Sequence, residues 1–385
     1  MPNPFPTRHA RRRRSLALGI AGLLLPLFAG VQSSAAPPAS ASAGAGPPAG
    51  HLQLLGVGLS GAEFNDPRTG VENTDYIYPN TAELDYYSSI GMNVMRLVLS
   101  WERIQPIQDG PLDPHQLSRM DDLVNYGAAK GLKTVIDLHN YGYRDQDVSR
   151  HDGNLVGSPA SPDSALANVW SRLATHYLKH PSVLFGLMNE PHVQTATQWA
   201  SAAQAAINAI RATGATQEIL VPGSYWTGAH SWTSSDNATV MGRITDPGHN
   251  MAFELHQYLD SDNSGTHNTV VSPTIGPERL ADATAWAKAG GHRLILGEFG
   301  AASDSASLTA LNNMLAYLQQ HSDVWQGAIY FGGGPWMGTY MFNTDPVSGT
   351  NSDPAHGAQT PQAILLSRYA PGSKAQPARR NGQQQ

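Results

Sequence analysis

Eight short apolar runs, separated by stretches of helical character, most constrain what this chain can fold into. The runs are Leu52–Gly58, Asn93–Leu99, Leu132–Leu138, Val183–Met188, Glu218–Pro222, Met251–His256, Arg293–Gly297 and Gly327–Phe331. Helical candidates fall between them at Thr81–Ile90, His115–Lys130, Ser164–His180, Ala196–Thr213, Pro277–Ala289 and Ser305–His321, with a last one at Pro361–Arg368. The helix before the sixth run lies somewhere within Ser231–Thr245. A run such as VLFGLM has no polar face, so it suits a strand covered on both sides. Strands alternating with helices predict an α/β fold with a parallel sheet, and eight of them predict a (β/α)8 TIM barrel. A doubly wound open sheet competes, but it needs a glycine-rich phosphate turn after its first strand. Gly56 to Gly61 only resembles one and lacks the nearby acidic partner, so these glycines read as a tight strand-end turn.

The polar residues gather where the runs end. Asn189-Glu190-Pro191 closes the fourth run and Gly297-Glu298 closes the seventh, 108 residues later. Parallel strands deliver both glutamates to one face of the barrel, the face that carries chemistry in this architecture. Two facing carboxyl groups, one protonated and one ionised, are the equipment for breaking a glycosidic bond. The other run ends supply suitable company. Arg96 and Tyr258 are placed to keep a carboxylate ionised, and Asn189 to hold a sugar hydroxyl beside the acid. His139 and His256 can fix hydroxyls and tune protonation; Asn140 is a further candidate for sugar binding. Trp226, Phe331 and Trp336 can offer flat faces to pyranose rings, whereas Trp101 and Trp325 read as structural or undecided. Any one of these residues has a dull explanation as a loop residue, cap or core group. An ordered set across seven of the eight run ends is harder to dismiss.

Composition narrows the partners. The chain has 385 residues and 41% hydrophobic content, enough for one full-sized barrel. Residues 1–36 hold Arg8 and Arg11 to Arg14 and no acid; the rest carries 19 basic against 30 acidic residues, a net of −11. Such a body is not expected to bind nucleic acid or an anionic membrane through bulk charge, and a neutral substrate such as a polysaccharide is compatible with it. There are no cysteines, and the 15 histidines include no His-Glu-x-x-His pair. Asp260 to Gly265 resembles the start of a calcium loop, but the position for its bidentate glutamate holds Val271. That stretch reads as an Asx-rich turn, and no metal or other cofactor is expected.

Four segments follow. Residues 1–36 pair an arginine cluster with a Leu/Ala/Gly-rich run and small residues, the layout of a cleaved export signal. Its Arg-Arg-Ser-Leu string suits the twin-arginine route and an ordinary arginine-rich start equally. Residues 37–50 read as a Pro/Ala/Gly/Ser linker, 51–371 as the catalytic barrel and 372–385 as a disordered polar tail. The expected product is a secreted monomer, extracellular or periplasmic, with no stable membrane insertion after signal cleavage and no visible separate carbohydrate-binding module.

Several of the same stretches resemble glycoside hydrolase family 5 of clan A, in the branch of fungal and bacterial endo-β-1,4-glucanases. They are RLVLSWERIQP around Arg96, IDLHNY around His139, FGLMNEPH around Glu190, HQYLDSDNSGTH around His256 and Tyr258, and ILGEFG around Glu298. Together and in this order they are specific, and they cover most of the body. The resemblance implies Glu190 as acid/base and Glu298 as nucleophile, supported by Arg96, His139, Asn189, His256 and Tyr258. It implies a retaining endo-β-1,4-glucanase; a related mannanase, xyloglucanase or mixed-linkage glucanase, or a non-catalytic carbohydrate-binding barrel, are the alternatives. One position departs from the pattern: where the family has a Trp after the eighth strand, this chain has Phe331.

Overall fold

The computed structural model describes residues 50–65, 70–145, 153–346 and 359–372. The expected export signal, the linker apart from Gly50, and the polar tail apart from Gly372 lie outside these residues. Eight strands, β1 (Leu54–Ala62), β2 (Val94–Leu99), β3 (Lys133–Leu138), β4 (Val183–Gly186), β5 (Ile219–Pro222), β6 (Met251–His256), β7 (Leu294–Phe299) and β8 (Trp325–Gly333), form a closed parallel barrel. Each pairs with its neighbours in the chain, and β8 returns to β1. Each strand is followed by a helix: α1 (Thr81–Ser89), α2 (Pro114–Ala129), α3 (Asp163–His176), α4 (Ala196–Ala212), α5 (Asn237–Met241), α6 (Ile275–Gly290), α7 (Ser305–Gln320) and α8 (Pro361–Ser367). Short polar side chains start several of them. Asn80 and Glu83 form a reciprocal cap on α1, and Asp113, Thr195, Asp304 and Thr360 accept from the first free N–H groups of α2, α4, α7 and α8.

The barrel interior is layered by strand alternation. One buried apolar residue from every strand makes the lower layer: Leu54, Val94, Val135, Leu184, Leu220, Ala252, Ile295 and Ile329. Two residues further along each strand, the same side reads Gly56, Arg96, Asp137, Gly186, Pro222, Glu254, Gly297 and Phe331. Three charges therefore sit inside the barrel one layer below its C-terminal mouth, and glycines leave them room. A Cβ on Gly297 would lie 2.1 Å from Glu254 Oε1. The larger apolar cluster, including Trp170, Trp199, Trp325 and Phe299, fills the space between barrel and helices. Trp101 and Trp325 are both fully buried, which settles them as core.

The glycines from Gly56 to Gly61 correct an expectation. They are not a strand-end turn; β1 runs through them to Ala62. The reason is close approach, since a Cβ on Gly56 would fall 1.6 Å from the Val94 carbonyl oxygen on β2. Helix α3 stops at His176, short of the expected His180, where Pro181 disfavours a helical neighbour. A helical turn at Trp101–Ile104 and a two-residue antiparallel ladder, Tyr143–Arg144 with Asn154–Leu155, were not anticipated. Among the described residues no helix is long and apolar enough to cross a membrane.

Candidate active site

Arg96 is the centre of the charged layer. Its guanidinium pairs with Asp137 at 3.1 Å, Glu254 at 3.5 Å and Glu298 at 3.2 Å, and donates to the Gly297 carbonyl at 3.0 Å and to Asn189 Oδ1 at 2.8 Å. Burial works against its charge, but the three carboxylates outweigh that and raise its pKa. Asp137 is buried too, which alone would raise it; Arg96 and His139 more than compensate and hold it below its ordinary value. His139 shares its Nδ1 with Asp137 at 2.9 Å, and this hydrogen bond raises its pKa against the effect of burial.

Glu190 and Glu298 face each other across this layer. His256 Nδ1 lies 2.7 Å from Glu190 Oε1 and 3.8 Å from Glu298 Oε2, and the two glutamates bring carboxylate oxygens within 4.8 Å of one another. Burial depresses His256, but the negative charge of Glu298 and hydrogen bonds to Glu190 and Glu254 push it up to about 9. Its Nδ1 lies 2.7 Å from Glu190 Oε1, and its Nε2 lies 3.3 Å from Glu254 Oε1 and 3.4 Å from Arg96 Nη1. The two glutamates differ in company. Glu298 accepts the Tyr258 hydroxyl at 2.6 Å on Oε1 and the Arg96 guanidinium on Oε2. Burial, then the charge of Glu298, hold the Tyr258 phenol far above its ordinary pKa, so it stays a donor. Glu190 contacts His256 alone of these groups and is the more exposed of the two glutamates. Asn189 Nδ2, buried beside it, finds no acceptor among the described residues.

The mouth of the barrel is backed by strained backbone. Tyr141, Glu190, Tyr225, Trp226 and Thr227 are all non-glycine residues with φ between 42 and 61°. Each such residue costs about 1–3 kcal/mol, and such residues persist where their surroundings over-determine them. Here the surroundings are visible. Thr227 Oγ1 accepts from Gly223 N–H at 2.8 Å and donates to the Glu254 carbonyl, and Trp226 N–H donates to the Pro191 carbonyl at 3.1 Å.

Most of the expected site residues converge. Glu190, Glu298, Arg96, Asn189, His256 and Tyr258 form one contact network, and His139 joins through Asp137. Phe331 is stacked on His139 with ring centroids 6.3 Å apart, and Tyr340 meets it edge-on at 6.1 Å. Trp226 and Trp336 are exposed by 43% and 40%; Trp336 stacks on Phe64. Asn140 is turned away from the group. It is 2% exposed, its Nδ2 donates to both oxygens of Glu102 and its Oδ1 accepts from Trp101 N–H, so its amide holds the loop rather than facing the cleft. Asp137 and Glu254, strand-end residues two positions before His139 and His256, make up the charged layer with Arg96, whereas His192 was not anticipated.

Among the described residues two groups bring ligand-type atoms within 4.8 Å: Glu190, His256 and Glu298, and Asp260, Asp262 and His267. In the first, the Arg96 guanidinium already occupies the position of a cation beside Glu298. In the second, Asp260 is engaged as a turn residue, accepting from Gly265 N–H, Ser264 Oγ and His267 N–H.

Known proteins resemble this one over the whole barrel. The family model described as cellulase, glycosyl hydrolase family 5, matches residues 57–330. Endo-β-1,4-glucanase A of Emericella nidulans is 39% identical over 307 residues, covering 79% of this chain and 90% of that protein. An endo-β-1,4-glucanase structure from Xanthomonas axonopodis pv. citri superposes with a TM-score of 0.77 at 42% identity, covering 83% of this chain and 98% of the other. XacCel5A, solved in complex with cellopentaose, gives 0.78 at 41% identity, with 83% and 99% covered.

Proposed function

This chain belongs to the cellulase family, glycosyl hydrolase family 5, and from that premise we propose that it is a secreted endo-β-1,4-glucanase that cleaves with retention, Glu298 as nucleophile and Glu190 as acid/base. The observation that carries this reading is the asymmetric company of two close carboxylates. Carboxylate oxygens within 4.8 Å of one another support the ~5–5.5 Å spacing of retaining enzymes over the ~6.5–9.5 Å of an inverting pair.

The chemistry follows from the contacts. Glu298 accepts from Tyr258 and pairs with Arg96, company that suits the group that attacks the anomeric carbon. Glu190 in its protonated form gives its proton to the departing glycosidic oxygen as that C–O bond breaks. The glycosyl group is then an ester of Glu298. A water attacks the anomeric carbon, Glu190 takes its proton, and the ester bond to Glu298 breaks, restoring both groups. His256 Nδ1, 2.7 Å from Glu190 Oε1, holds that carboxyl in place, and the Asn189 Nδ2 group that finds no acceptor among the described residues suits a sugar hydroxyl next to the reacting carbon. The names of the relatives support β-1,4-glucan as the substrate, and the arginine-led layout of residues 1–36 supports export.

Azide rescue tests the roles. With an aryl β-cellobioside, Glu190→Ala still forms the glycosyl ester, and azide converts it to the retained glycosyl azide. In Glu298→Ala, azide replaces the missing nucleophile and gives the inverted product. The reverse stereochemistry in the two variants exchanges the assignments.

A further inference from the structure

Beside the acid/base glutamate stands a cluster of rings that the reaction above does not use. His192 lies two residues after Glu190, with its Nδ1 3.3 Å from the Glu190 carbonyl oxygen. Its imidazole is stacked on the Trp226 indole with centroids 3.8 Å apart and planes 12° apart. Tyr141 meets both rings edge-on, and Tyr143 tilts against His192 at 5.9 Å. The indole comes from the strained turn after β5, and its own N–H group on the main chain is tied to Pro191. Trp226 is thus fastened twice to the segment that carries Glu190, once by backbone and once by a ring stack. It still keeps 43% of its surface exposed, the area the imidazole does not cover.

We infer that His192 is a positioning residue that holds the Trp226 indole as a platform for the sugar leaving with the proton of Glu190. The inference rests on the proposed function, because it takes Glu190 as the group on the leaving-group side. An exposed indole on a loop has rotamer freedom to lose when a sugar docks; a stacked ring removes that cost in advance. The backbone tie from Trp226 to Pro191 keeps the platform in register with the acid/base carboxyl, so a sugar lying on it brings its glycosidic oxygen towards Glu190.

The test compares wild type, His192→Ala, His192→Phe, Trp226→Ala and the double variant His192→Ala/Trp226→Ala. Each is assayed on cellopentaose and on an aryl β-cellobioside, whose leaving group is not a sugar. His192→Ala is expected to raise KM for cellopentaose about fivefold, the size of one aromatic stack, and by more than for the aryl glycoside. His192→Phe, which keeps a flat ring, is expected to recover most of the loss, and the double variant to be no worse than Trp226→Ala. Equal losses on both substrates, or additive losses in the double variant, overturn the inference. Failure of the proposed function shows elsewhere: a wild-type enzyme that turns over only manno-oligosaccharides overturns the β-glucan reading, and the His192 comparison is then read on that series.

Discussion

Arg96 is where the charge balance of the site is decided. It is fully buried, and three of its neighbours are carboxylates. Arg96→Ala leaves Asp137, Glu254 and Glu298 without their shared counter-ion, and a buried charge stripped of its partner costs about 3–5 kcal/mol. Denaturant unfolding of that variant is expected to show a loss of this size, and a loss under 1 kcal/mol would contradict the charge balance drawn here. His256 gives a pH dependence. Its folded pKa is about 9 against an ordinary value of 6.5, so the folded state holds its proton more tightly. The stabilisation is complete below pH 6.5 and is lost as the pH rises through 9. Buried Glu83 and Asp345, raised to about 8 and about 6, also favour the protonated fold and lose their contribution as pH rises. The informative quantity is therefore a difference: Tm should fall less steeply between pH 6.5 and 9 in His256→Asn than in wild type. Parallel slopes would show that the fold does not hold the His256 proton more tightly. At this scale the sequence was legible where a polar residue ended a strand, as with Glu190, Glu298 and His256. It was silent where function lay in a contact between distant residues, as with His192 against Trp226.

The elements were readable to the extent that each carried its own period. All eight strands and the long helices fall where apolar runs and helical stretches placed them, because burial on both faces leaves a mark in a strand that no loop imitates. The errors have a common cause. The glycines of β1 look like a turn in isolation, and only the neighbouring strand shows that they are spacers. The five-residue α5 is too short to show a helical period, so its place within Ser231–Thr245 could not be fixed from sequence. Gly56 and Gly58 offer a matched test two residues apart on β1. A Cβ on Gly56 collides with the Val94 backbone at 1.6 Å, whereas one on Gly58 meets the Phe331 ring at 3.5 Å, an ordinary contact. Gly56→Ala is expected to cost more than ~3 kcal/mol or to prevent folding, and Gly58→Ala to cost under ~1 kcal/mol. Equal stability of the two variants would mean that β1 and β2 are not packed as described.

The whole molecule divides its interior by height. The lower layer is apolar and closes the barrel; the layer above it is ionic; the two glutamates stand at the mouth, on the side where all eight strands end. That arrangement lets a rigid apolar plug hold charged side chains that would otherwise splay apart, and it fixes the distance between Glu190 and Glu298. The approach of Glu190 and Glu298 carries the central proposal, retention by the glutamate pair. The stereochemistry of the first product tests it most directly. With cellopentaose as substrate and proton NMR recorded as soon as turnover begins, the new reducing end should appear as the β anomer and only later mutarotate towards the equilibrium mixture. If the α anomer appears first, a water and not Glu298 attacks the anomeric carbon, and the account of the two carboxylates is wrong.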